Sequence, residues 1–124
     1  MIRILHVDDE TDILDIAKMS LELNGTIDVT SCTSGREALL LADTFKPDMV
    51  LLDYMMPGLT GPETLLKLRQ ISGWENIPAV FMTARAHEDE HKELWELGAL
   101  DVIRKPFDPM TLGPRLEKAL SKGG

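Results

Sequence analysis

Short apolar runs alternate along the chain with stretches whose apolar residues recur every three or four positions. Ile2-Arg3-Ile4-Leu5-His6-Val7 has strand character and stops at Asp8-Asp9. Ile27-Asp28-Val29-Thr30-Ser31-Cys32 alternates as a half-buried or edge strand does. Met49-Val50-Leu51-Leu52 and Ala79-Val80-Phe81-Met82 are continuously apolar, the pattern of strands covered on both faces. Leu100 to Ile103 is a shorter candidate. Helical patterns separate and follow these runs. Ile13, Leu14, Ala17, Leu21 and Leu23 fall mostly on one stripe, which Asn24-Gly25 stops. Ser34 and Glu37 have capping-box spacing ahead of Ala38, Leu41, Ala42 and Phe45, and Pro47 follows. Gly61-Pro62 opens a third helix with Leu65, Leu66, Leu68 and Ile71 as its apolar face. A fourth runs from about His87 to Leu97 and ends at Gly98. The fifth starts near Asp108-Pro109 and carries Leu112, Leu116, Ala119 and Leu120, with Gly113-Pro114 interrupting its pattern. Ser121-Lys122-Gly123-Gly124 reads as a loose tail.

The order is βα repeated five times, which predicts an α/β fold with a parallel sheet and right-handed crossovers. A doubly wound, flavodoxin-like five-stranded sheet of order 2-1-3-4-5 is the natural architecture. The 124 residues suit one domain, expected over 1–122 with 123–124 as tail and no room for an output domain. An apolar content of 44 % disfavours disorder. Acidic residues number 21 against 13 basic ones, and the net charge of −8 argues against direct nucleic-acid contact. The lone Cys32 forbids an internal disulfide and suits a reducing compartment. The N-terminal apolar run is too short for a signal peptide, and no stretch is long enough for a membrane helix. A cytoplasmic protein with no membrane contact is therefore expected.

In such a fold, sites form at the carboxyl ends of the strands, near the point where strand order reverses. The first strand ends in Asp8-Asp9 and the third in Asp53, so three carboxylates should converge. Left bare, they would raise one another's pKa values, and a hard divalent cation such as Mg2+ resolves the conflict. The acidic Val7-Asp8-Asp9-Glu10 turn argues against a nucleotide site, which needs free backbone amides. Thr83-Ala84 ends the fourth strand and Lys105-Pro106 follows the fifth, bringing hydroxyl, amide and ammonium donors to the acids. A carboxylate nucleophile, a cation and donors for equatorial oxygens make a phosphoryl-transfer site by their parts.

With these motifs in order and spacing, the chain resembles the receiver domain of two-component response regulators. The matching residues are Asp8-Asp9, Asp53 in LLDYMMPGLTG, Thr83 in FMTA, and Lys105-Pro106-Phe107. The resemblance implies a regulatory phosphoacceptor rather than an enzyme. Asp53 would receive phosphate from a histidine kinase or histidine phosphotransfer protein. Asp9, Asp53 and the Met55 backbone carbonyl would hold Mg2+ (or Mn2+), with Asp8 acting mainly through water. Lys105 would pair with the phosphoryl group and Thr83 would hydrogen-bond to it, beside a cis Lys105-Pro106 bond. The readout would be an unidentified downstream protein, met by a monomer or a weak phosphorylation-dependent dimer. His87, Lys92, Trp95, Asp101 and Arg104 are candidates for that contact, on the face of the fourth helix, fifth strand and fifth helix. One departure matters: Val102 stands where the family often carries an aromatic that couples to the threonine. The resemblance also implies that Met55 and Arg85, two residues after Asp53 and Thr83, would border the phosphoryl group and tune its lifetime by restricting the attacking water.

Other readings compete. His87-Glu88-Asp89-Glu90-His91 matches the zinc-protease spacing H-E-x-x-H, but no third ligand accompanies it and the segment reads as a solvated helix face. A dehalogenase-type phosphatase would need a second acid where Met55 stands, and Met55-Met56 read as packing residues. A relay intermediate, a phosphate sink or a receiver detached from a hybrid kinase shares the same site with a different readout.

Overall fold

The structure is a computed structural model that describes the backbone of residues 1–84 and 88–123 and the side chains of 1–84 and 91–122. The elements follow as β1 (Ile2–Val7), α1 (Thr11–Glu22), β2 (Ile27–Cys32), α2 (Gly35–Ala42) and β3 (Met49–Asp53). Then come α3 (Gly61–Leu68), β4 (Ala79–Thr83), α4 (Glu88–Glu96), β5 (Asp101–Arg104) and α5 (Pro109–Gly123). All strand pairs are parallel, in the order β2-β1-β3-β4-β5.

Strand alternation sends neighbouring side chains to opposite faces, and two cores result. Leu5, Val7, Val50, Leu52, Phe81 and Val102 meet Ala38 and Ala42 of α2, Leu65 and Leu68 of α3, and Leu94 of α4. Ile4, Val29, Leu51, Met82 and Ile103 meet Ala17 and Leu21 of α1 with Leu112 and Leu116 of α5. The central strands β3 and β4 are buried at every position, whereas edge strand β2 alternates from Ile27 to Val29 and is partly exposed at Thr30 and Ser31. Continuous and alternating apolar patterns therefore map onto centre and edge as the sequence predicts.

Several local expectations are corrected. The fifth strand begins one residue later than expected and ends at Arg104. α2 stops at Ala42, and Phe45 lies beyond it in a turn on the Leu41 carbonyl. Glu37 reaches back to the Thr33 amide rather than that of Ser34, while Ser34 Oγ accepts from Glu37 N at 3.1 Å. α3 ends at Leu68, so Ile71 packs from a following turn. Its start carries a full capping box between Thr60 and Glu63 that the Gly61-Pro62 signal concealed. Gly113-Pro114 does not interrupt α5, which runs on to Gly123, so Ser121-Lys122 form its last turn rather than a tail. Pro114 forgoes a bond to the residue four positions earlier, Met110, which is exposed to water, while Leu112, Leu116 and Ala119 bury the other face. The fourth helix lies as expected from Glu88, and His87 falls outside the described residues.

Two close approaches set the helices that carry the site. A Cβ at Gly35 would lie 2.1 Å from Thr64 Oγ1, so α2 and α3 touch through a glycine. A Cβ at Gly61 would lie 2.3 Å from the Asp53 carbonyl oxygen, so the start of α3 rests against the end of β3. Gly35→Ala in a helix ordinarily stabilises by about 1 kcal/mol. Here the overlap with Thr64 reverses the sign, and a net loss of about 1–3 kcal/mol is expected in urea denaturation. A variant as stable as the parent or more so would contradict this close packing.

Candidate functional site

β1 and β3 are neighbours in the sheet and β4 separates β3 from β5, and polar residues at the carboxyl ends of β1, β3 and β5 meet there. Asp8 is fully buried, Asp53 is 5 % exposed, and Asp9 lies at the surface. Carboxylate oxygens of Asp8, Asp9 and Asp53 all lie within 4.8 Å of one another. The Lys105 ammonium reaches between two of them, 2.8 Å from Asp8 Oδ2 and 3.1 Å from Asp53 Oδ1. Asp8 Oδ1 accepts from the Glu10 amide at 2.9 Å, which ties the acid turn to the start of α1. Thr83 is buried at the end of β4, and its carbonyl accepts from the Lys105 amide at 2.8 Å. The Lys105–Pro106 bond is cis, as the resemblance implies.

The electrostatics follow from this crowding. Burial first, then the Asp8 carboxylate, raises Asp53 from an ordinary 3.8 to about 6, against the pull of Lys105. Burial lowers the Lys105 ammonium, but its bonds to Asp8 and the field of Asp53 reverse this and raise it overall. Three carboxylates thus face one ammonium, and the surplus negative charge suits a hard divalent cation. The donor set is all oxygen, which fits Mg2+ or Mn2+ and not a thiolate-seeking metal.

Other expected residues are distributed as follows. Met56 is buried in the core, but Met55 is half exposed, so the packing expectation holds for one of the pair. Arg85 and His87 lie outside the described residues. On the proposed contact face, Lys92 and Arg104 are exposed and Trp95 is 50 % exposed. Asp101 is partly buried and already paired with Arg115 through bonds of 2.7 and 3.0 Å. Val102 is buried against the α4 side of the sheet, where it shares a core with Leu94.

Two features escaped the sequence reading. Tyr54 directly follows Asp53, and its hydroxyl donates to Glu93 Oε2 of α4 at 3.4 Å. Its amide and carbonyl are held by the Met82 carbonyl at 2.8 Å and the Gly61 amide at 2.9 Å. His6 is fully buried beneath Asp8, and neither ring nitrogen has a hydrogen-bond partner. Ser31 Oγ, its register neighbour on β2, is likewise unpartnered. Burial lowers the His6 imidazole from 6.5 to about 4, partly offset by Asp8. A histidine inside a six-residue strand gives no pattern signal beyond its polarity.

Residues 4–117 match the response regulator receiver domain family. The chain is similar to the phosphate regulon transcriptional regulatory protein PhoB of Pseudomonas aeruginosa, 36 % identical over 98 % of this chain and 52 % of that protein. It is 38 % identical to the alkaline phosphatase synthesis transcriptional regulatory protein PhoP of Bacillus subtilis, over 97 % of this chain and 49 % of that one. The chain therefore spans about half the length of the curated relatives it matches. Among solved structures, the receiver domain of the Francisella response regulator 1452 superposes with TM-score 0.87 at 31 % identity, covering 100 % of both chains. The Vibrio cholerae chemotaxis protein CheY4 also gives 0.87, at 29 % identity over 96 % of this chain and 98 % of that one.

Asp53 and His6 give opposite pH signatures. The folded chain holds the Asp53 proton that the unfolded chain releases between 3.8 and about 6, so metal-free stability falls as pH rises through that window. The unfolded chain takes up a His6 proton between 6.5 and about 4 that the folded chain refuses, so stability falls as pH drops. In denaturation curves without divalent cations, Asp53→Asn should gain on the parent as pH rises, and His6→Leu as pH falls. Curves that stay parallel to the parent's would contradict both assignments.

Proposed function

The chain belongs to the response regulator receiver family, and on that premise we propose that it is a phosphorylation-driven switch with Asp53 as the phosphoacceptor of a histidine-to-aspartate relay. The observation that carries this reading is the Asp53 carboxylate held at a strand end beside Lys105, Asp8 and Asp9. In the transfer, an Asp53 oxygen forms the bond to phosphorus as the phosphorus–nitrogen bond of a donor imidazole breaks. The electron pair leaves with the nitrogen, so atoms and charge balance. Asp8, Asp9 and Asp53, with the Met55 backbone carbonyl, are the groups proposed to hold Mg2+ (or Mn2+). A bound divalent cation would supply charge neutralisation for the phosphoryl oxygens.

The chain's own residues do the rest. Lys105 already stands 3.1 Å from the Asp53 carboxylate, within reach of an oxygen added there. Thr83 ends the adjacent strand and is proposed to donate its hydroxyl to the same group. Phosphorylation replaces the single negative charge of one carboxylate with a group of roughly −1.5 to −2 charge. That change acts on Lys105 and so on the end of β5, biasing two arrangements of the β5 and α4 face. A histidine kinase or phosphotransfer protein is the proposed donor, and a protein that prefers the phosphorylated form is the proposed reader. Half-exposed Met55 is proposed to restrict the attacking water.

Incubation with Mg2+ and a small phosphodonor, followed by peptide mass mapping, should find an acyl phosphate on Asp53. Asp53→Asn should abolish it, and Met55→Asn should shorten its lifetime. Folded protein that acquires no phosphate, or acquires it elsewhere, would overturn the reading. A partner captured more strongly by the phosphorylated form separates the switch from a carrier that only passes phosphate on.

A further inference from the structure

An open groove of about 670 Å3 runs between the start of α2 and the loop joining β3 to α3. Leu39, Pro57 and Leu59 give it an apolar lining, and Arg36 and Lys67 stand at its rim. Both cations are exposed, and neither makes an ion pair or hydrogen bond among the described residues. The neighbouring acids are turned elsewhere. Glu37 accepts from the Thr33 amide and hydroxyl, and Glu63 from the Thr60 amide at 2.9 Å. Lys67 exerts only a field on Glu63. A chain of net charge −8 thus presents two uncommitted cations around an apolar trough.

The groove is pre-formed. The close approach of Gly35 to Thr64 locks α2 against α3. The Thr60–Glu63 capping box fixes the end of the loop, and Gly58 at φ +77° sets its turn without strain. A rigid groove loses little entropy when it is filled. We propose that this groove docks an acidic, leucine-bearing segment of a partner protein. Local charge decides between occupants: two cations at the rim are too few to hold a phosphate backbone, while a few carboxylates can pair with Arg36 and Lys67 as leucines fill the trough.

The same loop begins at Tyr54, next to Asp53, and is pinned at its far end by the 2.9 Å bond from the Gly61 amide to the Tyr54 carbonyl. Groove and acid pocket therefore share one wall. Any difference in peptide affinity between the two states of Asp53 must appear equally as a shift in the Asp53 equilibrium. Docking itself goes beyond the phosphoacceptor reading and is measured on unphosphorylated protein, so either can fail alone.

The probe is the peptide acetyl-Glu-Glu-Leu-Asp-Glu-Leu-Leu-amide, titrated into isotope-labelled protein and followed by NMR. Saturable shifts should cluster at Ser34, Arg36, Leu39 and Leu59. The Arg36→Glu/Lys67→Glu double variant should weaken binding by about tenfold or more, with its remaining spectrum unchanged. The peptide with every acid replaced by its amide should lose affinity to the same degree against the unmodified protein, a measurement that needs no variant to fold. Absence of saturable shifts, shifts on another face, or an affinity unchanged by either charge alteration would overturn the proposal.

Discussion

The ammonium of Lys105 lets two buried carboxylates share one corner of the sheet. Asp8 has no solvent exposure and Asp53 almost none, yet their oxygens converge with those of Asp9 within 4.8 Å. Removing such charges from water costs several kcal/mol per ion unless each is paired and hydrogen-bonded. Lys105 provides the pairing, and the Glu10 amide satisfies a further oxygen. The pairing depends on strand order: β1 and β3 are adjacent, and β4 separates them from β5. Lysine crosses that strand because its side chain is long and is aimed by the backbone bond from its amide to Thr83. The balance stays incomplete, as the raised Asp53 carboxyl shows. A charge deficit that the protein cannot cancel itself is what the proposed cation and phosphoryl group would act on.

The sheet was legible in the sequence because its strands differ in burial and the residue pattern reports burial. Continuous apolar runs became β3 and β4, and the alternating run became edge strand β2. The position of the acid group was legible for the same reason, since Asp8, Asp9 and Asp53 sit where two adjacent strands end. Helix ends were less legible because hydrogen bonds rather than pattern decide them. Phe45 keeps the apolar spacing of α2 but lies in a turn. Pro114 looks like a break, yet tertiary packing of Leu112 and Leu116 carries α5 through it. Long-range polar contacts left no signal at all. The Tyr54 bond to Glu93 joins residues 39 positions apart, and the unpartnered pair His6 and Ser31 meets only through sheet register.

Those unforeseen contacts bear on how a change at Asp53 reaches the surface. The sheet divides the helices, with α1 and α5 on one face and α2, α3 and α4 on the other. Val102 is small and packs on the α4 side with Leu94. Tyr54 packs against that same core and touches α4 through Glu93. Its backbone is clamped between β4 and the start of α3. The residue after Asp53 thus links three elements, and packing that the fold already contains would carry the proposed rearrangement at the acid corner.

The central claim is that the corner carries an uncancelled negative charge, so that Asp53 holds a proton up to about pH 6 until a cation displaces it. Calorimetric titration of Mg2+ in buffers of different ionisation enthalpy tests this directly. The account predicts binding that releases protons below about pH 6, releases almost none well above it, and weakens sharply in Asp53→Asn. Binding without proton release at any pH, or binding unaffected by Asp53→Asn, would contradict it.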